Sequence, residues 1–175
     1  MFCLISLILF IFFNFSPLVR AHQYTRSKNY IDDLGLEVYE QTSYIKYVWD
    51  TQQSDWEKLS LDKDYIEVVL RAENEDGCNT EVYFAKVPAG REPVEKFLAP
   101  DGDVVECINY DIVKELIKHH GSGTATRRWE GTVDRNFDYY VKTYAHRVAH
   151  GYSKATVYVK EYPDYNLSIN NTQNG

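Results

Sequence analysis

Catalytic and cofactor signatures are missing from these 175 residues. No Gly-x-Ser-x-Gly elbow presents a nucleophilic serine, and no Cys-x-x-Cys pair lowers a thiol pKa. Neither Asp62-Lys63-Asp64 nor Asp101-Gly102-Asp103 continues into a calcium loop with a closing Glu, so both read as turns. No cofactor is therefore expected. Methionine occurs once, cysteine three times and proline five times, with no internal repeat and no Pro/Gly/Ser-rich linker, which leaves one domain. At 44% hydrophobic, 26% charged and 15% aromatic, the chain is neither collagenous, low-complexity nor wholly disordered.

One long apolar run is present, Leu4 to Phe15, followed by Val19-Arg20-Ala21. It is short of the roughly 20 residues needed to span a bilayer, and it ends in small residues as a secretory signal does. The expected division is a signal peptide over 1–21, a polar segment over 22–35, a β-rich domain over 36–163 and a disordered tail over 164–175. Cleavage leaves no membrane span and places the chain outside the cell. It also removes Cys3, so Cys78 and Cys107 should pair in an oxidising compartment, a staple of about 3.5 kcal/mol by loop entropy. Asn166-Leu167-Ser168 and Asn170-Asn171-Thr172 are glycosylation sequons.

The body of the chain is rich in Val, Ile, Tyr and Thr between turn residues, which predicts strands. These are Glu37 to Trp49, Asp64 to Ala72, Cys78 to Val87, Val104 to Ile108, Thr124 to Val133, Tyr139 to Val148 and Lys154 to Tyr162. Glu75-Asp76-Gly77 reads as a hairpin turn, and the last three segments as a meander. Ile112, Val113, Leu116 and Ile117 fit one face of a helix over 111–120, with Gly121 as its stop. A turn of helix fits Asp55 to Leu59, and residues 137–150 also fit a helical stripe, although strand is preferred. The expected class is α+β: six or seven antiparallel strands and one main helix. The alternative is a β-barrel or sandwich with a helical insertion.

Charge is uneven. Residues 22–111 carry 9 basic and 20 acidic side chains, whereas residues 112–160 carry 9 and 4. The densest basic cluster is Lys114, Lys118, His119, His120, Arg127 and Arg128 around Gly121-Ser122-Gly123-Thr124, a candidate anion site. The net charge of −7 disfavours nucleic acid as a partner. His146 and His150 have the i, i+4 spacing of zinc ligands on a helix, but on a strand they stand about 13 Å apart, and no metal site is expected. All fifteen Tyr and three Trp lie beyond residue 21, and Tyr39, Tyr44, Tyr47, Trp49, Trp56 and Trp129 are the interface candidates.

These features favour a secreted, non-enzymatic binding or effector module that engages an extracellular protein or small ligand through a Tyr/Trp-rich β surface. One alternative is a small hydrolase of phosphate-containing substrates, with His119 or His120 as acid/base and Arg127 and Arg128 as electrostatic stabilisers. Another is a β-barrel carrier of an apolar ligand.

Overall fold

The computed structural model describes residues 22–46, 49–94, 96–98, 104–106, 108–147 and 151–163. Among them are twelve strands and no helix: β1 (His22–Ile31), β2 (Glu37–Lys46), β3 (Thr51–Gln53), β4 (Glu57–Lys58), β5 (Tyr65–Asn74), β6 (Cys78–Pro88), β7 (Lys96–Leu98), β8 (Val104–Glu106), β9 (Asp111–His119), β10 (Gly123–Thr132), β11 (Phe137–Arg147) and β12 (Tyr152–Tyr162). One sheet has the order β1-β2-β12-β5-β10, and the other β3-β11-β6-β9 with β4 also on β11. Strands β7 and β8 form a separate pair.

Alternation of side chains explains the two layers. In β5, Ile66, Val68, Leu70 and Ala72 are fully buried, and Ala155, Val157 and Val159 of β12 lie beside them on the same face. Val82 and Phe84 of β6 and Val141 and Ala145 of β11 close the core from the second sheet. At its centre the Phe84 ring stacks 5.6 Å from Tyr139 and tilts 5.2 Å from Trp129. Such aromatic pairs add to the area term of burial. Gly131 is required here because a Cβ would run into the Trp129 ring.

The structure overturns the α+β expectation, and the architecture is a sandwich with no helix among the described residues. The 111–120 segment is strand β9, paired with β6. Its ladder slips between Phe84 and Ala85, whose partners are Lys114 and Ile112, so Val113 is the extra residue of a bulge. An extra residue breaks the period of two, and this is why the apolar positions imitate helical spacing. The true strand parity shows beyond the bulge, where Leu116 is buried against the core and Ile117, its neighbour, is 46% exposed. Residues 55–59 are extended, with β4 on Tyr140 and Val141, and 137–147 is strand throughout. The first sheet begins at His22, ahead of the expected start at Leu36.

The expected hairpin and meander are corrected too. Strands β5 and β6 belong to different sheets, and β9 to β12 alternate between the two. Each turn carries the chain across the core, which lets consecutive segments bury their apolar faces against each other. The interior is filled by side chains, so a barrel with a ligand-holding lumen is also set aside.

Strand parity predicts unequal effects for two adjacent residues that a helix would place on one face. Leu116→Ala should cost about 2–4 kcal/mol in denaturant unfolding, and Ile117→Ala should stay within about 0.5 kcal/mol.

Candidate binding face

The outer face of the second sheet gathers side chains from four strands. Lys142 of β11 lies opposite Tyr83 of β6, and Tyr144 opposite Glu81. Beyond them, Gln53 of β3 pairs with Tyr144, while Glu115 and Ile117 of β9 pair with Tyr83 and Glu81. Trp56 and Tyr110 rise at the border of this face, their rings 4.9 Å apart and inclined at 56°. The Trp56 ring lies 6.3 Å from Tyr83, and Lys142 Nζ sits 5.6 Å from its centre, a cation–π contact. Together Gln53, Trp56, Glu81, Tyr83, Tyr110 and Lys142 border a cleft of about 360 Å³, completed by Ile108, Ile112 and Tyr144.

Polar groups in the cleft are held in place. Glu81 accepts hydrogen bonds from the Tyr83 hydroxyl and from His119 Nε2, the latter at 3.0 Å. Burial first, then the Glu81 carboxylate, push the Tyr83 phenol above the ordinary tyrosine range, so it stays a neutral donor.

Trp56 owes its position to a buried polar network beneath the β3–β4 segment. Ser54 exchanges hydrogen bonds with the Thr143 backbone, Ser54 N–H to Thr143 O at 3.0 Å and Thr143 N–H to Ser54 Oγ at 2.9 Å. Gln41, only 1% exposed, accepts from Ser54 Oγ at 3.0 Å and from Thr143 Oγ1 at 3.2 Å. Its Nε2 donates to Glu57 at 2.7 Å and to the Tyr39 hydroxyl at 3.3 Å. Leu59 N–H donates to Tyr139 O at 2.9 Å, which fixes the segment on the other side of Trp56.

A second hollow of about 380 Å³ also borders Trp56, lined by Asp55, Trp56, Lys58, Glu92, Pro93 and Tyr140. Lys58 Nζ is 2.7 Å from Asp138 Oδ2, which also accepts Gly90 N–H at 2.8 Å. These two partners, Lys58 first, hold the Asp138 carboxyl below its ordinary range. Asn109 ties down the 92–94 stretch, accepting Val94 N–H at 2.7 Å and donating to Glu92 O at 2.9 Å. A larger hollow of about 560 Å³ opens between β1 and residues 57–62, away from the Trp56–Tyr110–Tyr83 rings. Two of its carboxylates are engaged internally: Glu57 by Gln41 and Ser27, and Glu161 by the N–H groups of Asp62 and Lys63.

The residues singled out from the sequence scatter over several surfaces. Trp56 lies in the cleft. Trp129 packs on Phe84 in the core. Tyr44 stacks between Tyr24 and Tyr152 at 5.3 and 6.2 Å on the outer face of the first sheet. Tyr39 hydrogen-bonds within the buried network, and Trp49 is 70% exposed after β2. Among the basic residues, Lys118 Nζ donates to Ser122 O at 3.5 Å, His119 belongs to the cleft border through Glu81, and His120 takes a left-handed turn conformation at φ 48°. Arg127 and Arg128, both exposed, point to opposite sides of β10. Arg128 Nε lies 2.7 Å from Glu67 Oε1, an ion pair on the first sheet, away from His119 on the second. The imidazoles and guanidinium groups thus do not share one hollow. His146 Nδ1 bonds Thr51 Oγ1 at 2.7 Å. Among the described residues, no group of three or more His, Cys, Asp or Glu is arranged to hold a metal ion.

Cys78 is buried at the head of β6. Its expected partner Cys107 lies outside the described residues, as do Tyr47, His150, Asn166, Asn170 and the 1–21 segment. Sequence reasoning missed Tyr83, Tyr110, Glu81, Lys142 and Gln53 as site residues. The available signal was the alternation in 78–88, where Glu81 and Tyr83 interleave with Thr80, Val82 and Phe84.

No protein-family model matches the chain, and no curated protein does. Solved structures align with it only remotely, three of them as follows. TmCBM61 in complex with β-1,4-galactotriose aligns at TM-score 0.38 and 11% identity, over 86% of this chain and 92% of that one. The family 11 carbohydrate-binding module from Clostridium thermocellum, in complex with a β-1,3-1,4-mixed-linked tetrasaccharide, aligns at 0.30 and 9%, over 83% and 91%. The enzymatically active domain of bacteriophage CBA120 tailspike protein 4 aligns at 0.26 and 11%, over 79% of this chain and 19% of that one. Likenesses at this level transfer neither ligand nor residue roles.

Two outcomes test the supports of the site. Gln41→Ala leaves Ser54, Thr143 and Glu57 short of partners and should lower stability by about 1–3 kcal/mol, with a shift in tryptophan emission as Trp56 loosens. Asp138 has a depressed folded-state pKa, so its contribution is present above the ordinary carboxylate range and fades as pH falls through the folded value. Asp138→Asn should therefore lower stability at neutral pH by no more than about 1 kcal/mol, because Lys58 is largely solvated, and flatten the acid limb of the stability curve.

Proposed function

We propose that this chain is a non-catalytic binding module whose outer β face takes a saccharide in the Trp56–Tyr83–Tyr110 cleft. The observation that carries the reading is the convergence of three aromatic rings with Gln53, Glu81 and Lys142 around one concavity. Its volume of about 360 Å³ suits a small molecule better than a protein, whose interfaces are broad and rather flat.

The chemistry of the lining narrows the ligand. Rings inclined to one another present apolar faces, which favour the C–H face of a saturated ring. Around them stand an amide that both donates and accepts, a carboxylate that accepts and an ammonium that donates. A ligand with one apolar face and a rim of hydroxyls satisfies both sets at once, and a sugar ring has that pattern. A purely apolar ligand would strand the polar groups, and a phosphate would meet Glu81 as well as Lys142. Work outside the cell, with Cys78 and Cys107 joined, accords with this reading and is part of the proposal.

The test is titration of the chain with β-linked glucose and galactose oligomers, followed by tryptophan emission and calorimetry. Trp56→Ala should weaken binding at least about tenfold, roughly 1.4 kcal/mol, while the variant keeps the β-sheet circular dichroism of the parent chain. Trp49→Ala, outside the residues that line the cleft, should leave it unaltered. Equal affinities for Trp56→Ala and the parent chain would reject the cleft as the site.

A further inference from the structure

We infer that the ligand of this face is a linear oligosaccharide of three or more rings, laid across Trp56 so that rings occupy both hollows that it borders. This rests on the saccharide reading of the cleft and extends it to a second subsite, made by Asp55, Lys58, Glu92 and Pro93.

The geometry centres on one residue. Trp56 lines both the cleft of about 360 Å³ and the hollow of about 380 Å³. Each alone lies near the lower end of the small-ligand range, about 300 to 1,000 Å³, and together they reach its upper half. A single ring seated on Tyr83 and Tyr110 would leave the second hollow to water. A chain that passes over the indole covers both hollows.

Direction follows from the strand beneath. Tyr140 borders the second hollow and Lys142 the first. Successive outward residues of one strand stand about 6.6 Å apart. That spacing is comparable with one sugar ring and its linkage, so the two hollows present themselves to neighbouring units of the same chain.

The second hollow is built rather than incidental. Its ammonium is oriented by the Lys58–Asp138 pair, and Asp138 is itself held by Gly90 N–H. The Tyr140 hydroxyl donates to Arg91 O at 2.9 Å, which fixes its buried ring beneath the hollow. Asn109 pins the backbone that carries Glu92 and Pro93. The exposed Asp55 and Glu92 carboxylates supply acceptors, and Lys58 a donor, the same mixture found on the first side. Groups fixed in advance lose little freedom on binding, and this is what makes a second subsite add affinity.

The experiment is calorimetric titration of the full chain with β-1,4-linked glucose and galactose oligomers of increasing length, from one ring upward. Asp55→Ala and Glu92→Ala serve as variants, since both side chains are exposed and away from the core. Affinity should rise by at least about tenfold from the single ring to four rings, then level off. Each variant should weaken the four-ring ligand several-fold and leave the shortest binding oligomer unchanged, with unaltered melting temperature. Affinity independent of length, or a four-ring ligand indifferent to both variants, would overturn the second subsite and leave the cleft standing. Failure of every oligomer to bind would overturn the saccharide reading and this extension together.

Discussion

The binding face depends on a hydrogen-bond network that it never displays. Gln41 of β2, Ser54 ahead of β4 and Thr143 of β11 belong to three separate stretches of chain, and all three are buried between the sheets. Buried polar groups are costly unless paired, and these satisfy one another. Because Ser54 bonds both backbone groups of Thr143, the short β3–β4 segment cannot slide along β11. Two residues later the chain carries Trp56. An apolar contact would tolerate slippage there, whereas directional bonds set the register and hence the place of the indole.

The two outer faces of the sandwich are chemically unlike, and that contrast explains why the second sheet is the one suited to a ligand. On the first sheet, charges are neutralised by their neighbours: Lys28 with Glu40, Arg71 and Lys154 with Glu73, Arg128 with Glu67, and Lys160 with Asp32. Its tyrosines stack on one another, as in the Tyr24–Tyr44–Tyr152 series. On the second sheet, the Trp56 and Tyr110 rings are inclined instead of stacked, so a concavity remains between them. Stacked rings leave no concavity for a partner, whereas inclined rings with polar neighbours do.

Much of the strand content was legible because the strands obey a period of two. Segments such as 65–74 and 78–88 alternate core and surface residues, and β-branched density marks them. The 111–120 segment misled for a definite reason: the bulge at Val113 inserts one residue, and Ile112, Leu116 and Ile117 then fall at helical intervals. Pairing partners were not legible at all. A tight turn such as Glu75-Asp76-Gly77 has the same composition whether it joins neighbours in a sheet or carries the chain from one sheet to the other, and here it does the latter. Within the site, Trp56 stood out by composition. Tyr83 and Tyr110 did not, since their meeting with Trp56 depends on register across β6, β11 and the stretch before β9. The basic cluster around Gly121 dissolved for the related reason that Arg127 and Arg128, adjacent in a strand, must face opposite ways.

Switching sheets at each late turn couples stability to the site. Strands β5 and β6 are consecutive, yet one faces the core from each side, so Leu70 and Phe84 come to lie in one apolar cluster although their strands share no ladder. The outward residues of β6, including Glu81 and Tyr83, are backed by inward residues that cannot move without opening the core. Interiors packed at near-crystalline density resist such motion. Tyr83 is therefore mounted on an unyielding strand, and Trp56 is tied to β11 through Ser54, so an incoming ring would meet both already in position. Little ordering cost is left for binding to overcome, and a shallow open cleft on a β face can then hold a small ligand without a lid.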